Sequence, residues 1–252
     1  MGLWTREHLI TILPTFAIMI VIAFLMRRLL IKKRYEIRMI PIKIIAVILI
    51  LMEIGKQWCS IMRGYDLYHI PLHFCSIFLY ILPLFAFYRG KWRQSVGATA
   101  CTTMMALFIG MLVLPNAIYT SARFATFFTD YFSFHTVVFH NLVIFVLFLT
   151  LALDLHSPSV ERRELIFLTV FGVTFVALSA CAAHLLDTNY SNFLESSIGF
   201  VAELVSRLGL AIGEIPTKIL YGAVLGALHI LLLIVTYYLF FALCKAMKTR
   251  RS

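Results

Sequence analysis

Charge is scarce in this chain of 252 residues. Only 13% of the residues are Asp, Glu, Lys or Arg, whereas 62% are hydrophobic. Soluble domains carry about 25% charged and about 45–50% apolar residues. One globular core could not hide this much apolar surface, so the composition excludes a soluble protein and predicts an all-α membrane protein.

Several functional signatures are also missing. There is no CxxC, and the cysteine count of five is odd, which argues against a disulfide framework or a zinc knuckle. No HExxH, GxSxG, phosphate loop or redox-cofactor motif is present, so we expect neither a metal nor a cofactor. The net charge of +10 rests on too few charged residues to indicate nucleic-acid binding. Membrane lipids are the expected partners, and no pattern indicates an oligomeric state.

Long apolar stretches dominate what is there. A helix needs about 20 apolar residues to cross about 30 Å of hydrocarbon. Seven stretches qualify, at residues 9–26, 39–62, 72–88, 95–114, 136–153, 165–186 and 219–244. Because Arg27 and Arg28 follow the first stretch instead of a cleavage site, we interpret it as a retained anchor. No linker or repeat divides the chain, so residues 1–252 are predicted to form one polytopic domain.

The basic residues predict the orientation of these spans. Fifteen of the 22 Lys and Arg residues fall in alternate loops and the C-terminal tail, and five fall on the other side. Basic loops stay cytoplasmic, so seven transmembrane helices are predicted with the N-terminus outside and the C-terminus cytoplasmic. The largest outer loop, residues 187–218, has apolar residues at near-helical spacing. It is either a helix in the membrane interface or an ordered loop on the bundle.

Most polar side chains within the spans lie toward the outer side, where they predict a cavity open to the exterior or the outer leaflet. Glu53 and Lys56 are three residues apart on one helix and predict an internal ion pair, which either serves a site or only fixes helix packing. His184 and Asp187 have the same spacing. Gly222 and Gly226 predict close helix packing. The remaining polar candidates are Gln57, His73, Cys75, Asn116, His135, His140, Asn141 and Asn189.

Cys75 is the candidate nucleophile. Pro71 fits the first turn of the third span, which puts Cys75 near a helix N-terminus, where the helix dipole favours a thiolate. On a regular helix His73 lies about 200° around the axis from Cys75, so the base should come from another helix, as His140 or His135. Asn116, Asp187 or Asn189 is the possible orienting group. A buried cysteine is, however, most often only a small apolar residue.

Three short stretches resemble the signature motifs of the YwaF family of bacterial integral membrane proteins. They are Ile70-Pro71-Leu72-His73-Phe74-Cys75-Ser76-Ile77, Phe139-His140-Asn141-Leu142-Val143-Ile144 and Thr188-Asn189-Tyr190. That family is distantly similar to a eukaryotic transmembrane acyltransferase family that transfers fatty acyl groups to ether phospholipids through a cysteine. The resemblance implies a bacterial plasma membrane location, Cys75 as nucleophile, His140 as base and His73 as a group that polarises the carbonyl. Tyr190 joins the supporting residues.

This chain departs from the family pattern at two places. Asn141 stands where a glycine is expected, and Glu214–Pro216 stands where a Trp-Pro-Trp-like stretch is expected. Both departures concern the substrate pocket. The sequence therefore predicts a lipid acyltransferase or lipid hydrolase that acts on a phospholipid or another acyl lipid. The alternatives are a small-solute transporter or receptor-like binding protein without catalysis, and a structural membrane protein whose polar groups only specify packing.

Overall fold

The computed structural model describes residues 4–115, 118–196 and 198–249. Within these ranges the chain contains helices and no strand, which confirms the all-α prediction. The α-helices are α1 (Arg6–Leu30), α2 (Tyr35–Arg38), α3 (Ile40–Met62), α4 (Phe78–Phe87), α5 (Arg93–Val113), α6 (Ser121–Ala125), α7 (Tyr131–Ala152), α8 (Arg162–Leu185), α9 (Gly199–Ile212) and α10 (Glu214–Thr249). Short 3-10 turns occupy Leu67–His69, Phe74–Ile77 and Tyr190–Asn192.

Five of these helices, α1, α5, α7, α8 and α10, are long and apolar enough to cross a membrane. The other two predicted spans coincide with shorter or more polar helices. The 23 residues of α3 include Lys43, Glu53 and Lys56. The apolar helical segment Phe74–Phe87 is short; its 14 residues would extend about 21 Å as an α-helix. The chain is therefore an all-helical multi-pass membrane protein.

α5 lies at the centre of the bundle and packs against α4, α7, α8 and α10. Its first half is rich in small residues that are buried, among them Ser95, Gly97, Ala98 and Ala100. Small side chains let helix backbones approach closely, which is the main source of packing between membrane helices. Around this centre, α1 packs on α7, and α3 packs on α4 and α7.

Cross-helix contacts distinguish two ends of the bundle. At one end, which contains Cys75 and which we call the Cys75 end, Arg63 follows α3 and its Nη1 lies 3.0 Å from Asp130 Oδ1, just before α7. At the other, the basic end, Arg163 Nη2 at the start of α8 donates to the Lys91 carbonyl before α5 at 3.0 Å. α3 and α7 therefore run in opposite directions, whereas α5 and α8 run in the same direction.

The third predicted span begins later than expected. The sequence predicted a helix from Leu72, but His73 is extended and the 3-10 turn starts at Phe74. The Leu72 carbonyl accepts hydrogen bonds from Ser179 Oγ on α8 at 2.7 Å and from Ser191 Oγ at 3.3 Å. Tertiary hydrogen bonds thus take the place of the first intrahelical ones.

The predicted outer loop is mostly helical. α9 covers Gly199–Ile212, has no buried residue and packs on α10. Of the two alternatives for this segment, a helix or an ordered loop, the helix is confirmed. Phe193, an apolar residue of the same loop, lies outside α9 and is buried. Gly213, with a φ of 91°, separates α9 from α10, and α10 starts at Glu214, before the predicted residue 219. The location of α9 in a membrane interface stays a prediction.

Candidate functional site

The segment that leads to Cys75 is fixed through its backbone carbonyls. Gln57 Nε2 on α3 donates to the His69 carbonyl at 2.7 Å, and Tyr190 Oη donates to the Leu67 carbonyl at 2.5 Å. Together with the bond from Ser179 to Leu72, these contacts attach residues 67–72 to α3, to α8 and to the turn after α8. Two of the three stretches that carry the family resemblance, residues 70–77 and 188–190, therefore meet at one place.

Cys75 is half-buried in the turn Phe74–Ile77, which continues directly into α4. It lies within electrostatic reach of Lys56 and Glu53 on α3 and of Tyr68. The charged pair of α3 therefore acts on the environment of this thiol. A 3-10 turn advances about 120° per residue, and His73 lies before it in extended conformation. His73 and Cys75 therefore do not lie on one regular α-helix, and the predicted angle of about 200° between them does not apply.

His73 is held against two tyrosines. Its ring centroid lies 4.3 Å from that of Tyr68 and 5.4 Å from that of Tyr190. The His73 Nε2 atom lies 3.0 Å from the Tyr68 carbonyl oxygen. Because a carbonyl only accepts hydrogen bonds, Nε2 carries the proton in the neutral ring, and Nδ1 is left as an acceptor.

Glu53 is the centre of a polar network between α3 and α7. Its Oε1 lies 2.9 Å from Lys56 Nζ and 2.7 Å from Gln57 Nε2, so the predicted Glu53–Lys56 ion pair is confirmed. Its Oε2 lies 3.3 Å from His135 Nε2, although this nitrogen is not aligned for a hydrogen bond. Tyr65 Oη donates to Gln57 Oε1 at 3.0 Å. The charges of Glu53 and Lys56 thus offset each other where water has little access.

His140 is buried on α7 and has neighbours different from those of His135. Its Nδ1 lies 2.6 Å from the Thr136 carbonyl oxygen, and it lies within electrostatic reach of His135 and Arg123. The carbonyl requires the proton on Nδ1, which leaves the Nε2 lone pair available as a base. In the part of the chain that the structure describes, no hydrogen bond joins His140 to Cys75.

Asn141, Asn189 and His184 lie in three separate places. Asn141 Oδ1 accepts from Tyr119 Oη at 2.8 Å, and Asn141 lines a groove of about 480 Å³ between α1 and α7. Asn189 closes its own loop, because its Oδ1 accepts from the Leu194 N–H at 3.1 Å. His184 lines a cavity against the start of α10. Asn116 lies outside the described residues.

His184 and Asp187 do not form the predicted pair, since no hydrogen bond joins them within the described ranges. Asp187 lies beyond the end of α8 in the left-handed region, with a φ of 48°. The three-residue spacing requires a helix that continues through both residues. Because α8 ends at Leu185, that geometry is lost.

Tyr131, Tyr65 and His69 take part in the site but were not among the sequence candidates. Tyr131 Oη donates to the Met52 carbonyl at 2.9 Å, and a Cβ at Gly55 would lie only 2.5 Å from this hydroxyl oxygen. A glycine inside a helix costs about 1 kcal/mol relative to alanine, so Gly55 was an available signal for a close approach of another helix. The sequence does not show which side chain makes that approach.

Aromatic and charged contacts stabilise the loops at the Cys75 end. The His69 ring stacks on Phe132 with a centroid distance of 4.2 Å, and burial, together with Lys56, lowers the pKa of His69. Burial alone would raise the pKa of Asp130. The Ser133 N–H and the Arg63 guanidinium outweigh that effect and lower it. These loops therefore carry a neutral imidazole and an ionised carboxylate near neutral pH.

The basic end contains a polar cluster that the positions of polar residues along the predicted spans did not indicate. Glu164 at the start of α8 is 1% exposed. Its carboxylate accepts from Gln94 Nε2 at 2.9 Å, Ser159 Oγ at 2.6 Å and Tyr237 Oη at 2.5 Å. Because Glu164 follows two arginines, its sequence context suggests a solvated loop. The polar groups of the bundle are therefore less confined to one end than predicted.

Among the described residues, no group of three or more His, Cys, Asp or Glu side chains could hold a metal ion.

A family model described as the TMEM164 family matches residues 3–233. The match does not extend to the YwaF name, which stays a prediction. No curated protein and no solved structure matches the chain significantly.

Proposed function

The chain belongs to the TMEM164 family, and from this premise we propose that it is a membrane-embedded acyltransferase that acts on lipids through Cys75. The observation that carries the proposal is the attachment of the Cys75 segment to α3, α8 and the turn after α8 by hydrogen bonds to its carbonyls. A nucleophile must be held in a fixed position relative to its substrate. Three separate anchors on one short segment supply that rigidity around a half-buried thiol.

In the proposed reaction a histidine removes the proton of the Cys75 thiol. The sulfur attacks the carbonyl carbon of a lipid ester, a C–S bond forms, the C–O bond breaks, and the leaving alkoxide takes the proton from the histidine. The acceptor hydroxyl of a second lipid then gives its proton to the histidine and attacks the thioester. This step forms the new ester and releases the thiolate, which takes the proton back from the histidine. Water in place of the acceptor gives the hydrolase variant.

We assign the base to His140, as the sequence resemblance implies, because its Nδ1 contact with Thr136 leaves Nε2 unprotonated. His73 Nδ1 is likewise an acceptor. The single N–H of the neutral His73 ring is engaged by the Tyr68 carbonyl. His73 is therefore better suited to accept a proton than to polarise a substrate carbonyl. Glu53, Lys56 and Gln57 already satisfy one another. This mutual satisfaction favours a site around Cys75 over a solute-binding site of a transporter or receptor on α3.

We also propose seven spans, in which α3 and the Phe74–Phe87 segment complete the five long apolar helices. The excess of basic residues at the basic end supports a cytoplasmic location of that end. The Cys75 end then faces the exterior or the outer leaflet of the cell membrane. Phospholipids can reach such a site from within the bilayer.

The test uses the full chain in detergent micelles with a phospholipid that carries a radiolabelled acyl chain. A covalent acyl-enzyme that hydroxylamine releases is expected for the parent and absent for Cys75→Ala. Cys59→Ala is the matched control, because Cys59 is also a half-buried cysteine at the same end of the bundle, and it should retain the label. His140→Ala should slow labelling by about 10²–10⁴-fold. Equal labelling of Cys75→Ala and the parent would overturn the mechanism.

A further inference from the structure

A polar cavity lies at the basic end, away from Cys75. Its volume is about 340 Å³, and its polar lining consists of Tyr35, Gln94, Asp154, His156 and Ser157. Leu151 lines it as well and lies 16 residues beyond His135 on α7, which corresponds to about 24 Å along the helix. Small-molecule sites have volumes of about 300–1,000 Å³. We call this space the His156 cavity.

Two buried polar atoms beside the His156 cavity lack partners. Neither His156 Nε2 nor Arg38 Nε has a hydrogen-bond partner in the described part of the chain. Arg38 lies beside the lining. Its Nη1 donates to the Leu153 carbonyl at 2.6 Å and lies 3.5 Å from the Asp154 carbonyl oxygen, and its guanidinium lies 5.8 Å from the Tyr35 ring centroid. An unpaired buried polar atom costs about 1–3 kcal/mol. Two of them beside one cavity indicate a ligand that pairs with both.

The charges around the cavity favour an anion. Among the lining residues that the structure describes, Asp154 carries the carboxylate. Its Oδ2 lies 3.1 Å from Arg27 Nη1. The Arg93 guanidinium lies 4.1 Å from the Tyr35 ring centroid. Arg27, Arg38 and Arg93 thus bring three guanidiniums close to residues that line the cavity. The nearby Glu164 is already engaged by Gln94 and Ser159.

The available groups are mostly hydrogen-bond donors. Burial lowers the pKa of His156 to about 4, with Glu164 opposing the shift and Arg93 adding to it. The ring is therefore neutral at pH 7 and offers one N–H. The Tyr35 and Ser157 hydroxyls also line the cavity. Four donors around one space suit an anion with several acceptor oxygens, and a phosphate group has more of them than a carboxylate.

We propose that the His156 cavity binds a phosphate group, which accepts hydrogen bonds from Arg38, His156, Tyr35 and Ser157. Both a phospholipid headgroup and a soluble phosphate compound carry this chemistry. The cavity lies at the end of the bundle, where either source has access. Binding there is separate from the Cys75 site and does not depend on the proposed acyl transfer.

The experiment measures thermal unfolding of the full chain in dodecyl maltoside, a detergent without phosphate. One arm adds inorganic phosphate, with chloride at equal ionic strength as its control. The other arm adds phosphatidic acid to the micelles, with diacylglycerol as its control. A ligand that binds only the folded state raises Tm in a saturable way. If phosphatidic acid raises Tm and inorganic phosphate does not, the ligand is a lipid headgroup. If inorganic phosphate raises Tm, a soluble phosphate is sufficient.

The variants locate the binding. His156→Phe should weaken the apparent affinity about tenfold or more, since a hydrogen bond to a charged group is lost. His184→Phe, in a cavity at the other end, should bind like the parent. Ser157→Ala removes a hydroxyl in the loop before α8 and should weaken binding about two- to tenfold. This variant decides the matter where His156→Phe does not fold. No Tm rise in either arm, or unchanged affinity of the folded cavity variants, would overturn the proposal.

Discussion

Glu53 holds a negative charge between two helices, where its side chain is 12% exposed. Such a charge is tolerated only with close partners, because removal from water costs several kcal/mol per ion. Lys56 and Gln57 supply those partners on the same helix, and His135 supplies one from α7. The spacing of residues 53, 56 and 57 was sufficient to predict the first two partners. The contribution of His135 was not predictable, because sequence spacing does not show which face of α7 meets α3.

Substitution of Glu53 tests the stabilising role of this network. Glu53→Gln leaves the Lys56 ammonium buried without its counter-ion, so the free energy of unfolding should fall by about 3–5 kcal/mol. The second substitution, Lys56→Met in the same chain, should restore much of that loss, because an apolar side chain needs no counter-ion. Titration with sodium dodecyl sulfate from mild detergent micelles measures both values. A double variant as unstable as Glu53→Gln would contradict the ion-pair explanation.

At the scale of elements, the helices themselves were predictable and their ends were not. All seven predicted apolar stretches coincide with helices, because long, mostly apolar runs indicate them directly. The start of the third helix depends on hydrogen bonds from Ser179 and Ser191 to the Leu72 carbonyl. Both serines lie more than 100 residues further along the chain. Competing hydrogen bonds from such distant residues leave no mark on the local pattern.

The two glycines of α10 show the same limit within one element. The four-residue spacing of Gly222 and Gly226 predicted a close packing face. A Cβ at Gly226 would lie 3.2 Å from Val176 Cγ1 on α8, whereas a Cβ at Gly222 would meet no atom within 4 Å. Only one of the two glycines therefore packs tightly. The side chains of α8 decide which one.

Leucine at each glycine of α10 tests this difference. Gly226→Leu forces a large side chain against Val176, and the overpacking should destabilise the bundle by about 1–3 kcal/mol. Gly222→Leu projects into the space beside His184 and should not destabilise the bundle, because it meets no atom and gains up to about 1 kcal/mol of helix propensity. Thermal unfolding of the two variants in the same detergent gives the comparison. Equal destabilisation would show that both glycines face α8.

For the whole molecule, the distribution of charge and polarity relates the sequence to the membrane. Scarce charge predicted the membrane, and the separation of basic loops from intramembrane polar groups predicted two unlike ends. The structure has these two ends, but it adds the Glu164 cluster and the His156 cavity to the basic one. Neither is predictable from the sequence, because side chains beside basic loop residues are ordinarily solvated. Their burial depends on α5, α8 and α10 meeting in space.

Opposite membrane sides for the two ends lead to a labelling experiment. Lys33 is exposed between α1 and α2, and Phe128 is 94% exposed between α6 and α7. In a background with Cys59, Cys75 and Cys181 replaced by serine, which leaves only the buried Cys101 and Cys244, Phe128→Cys should react with a membrane-impermeant maleimide on intact cells. Lys33→Cys should react only after permeabilisation, because its loop is among the most basic and should stay cytoplasmic. Reversed labelling would invert the orientation and move Cys75 to the cytoplasmic side. Labelling of both from outside would rule out the arrangement of opposite ends, since Lys33 and Phe128 flank the two ends of one bundle.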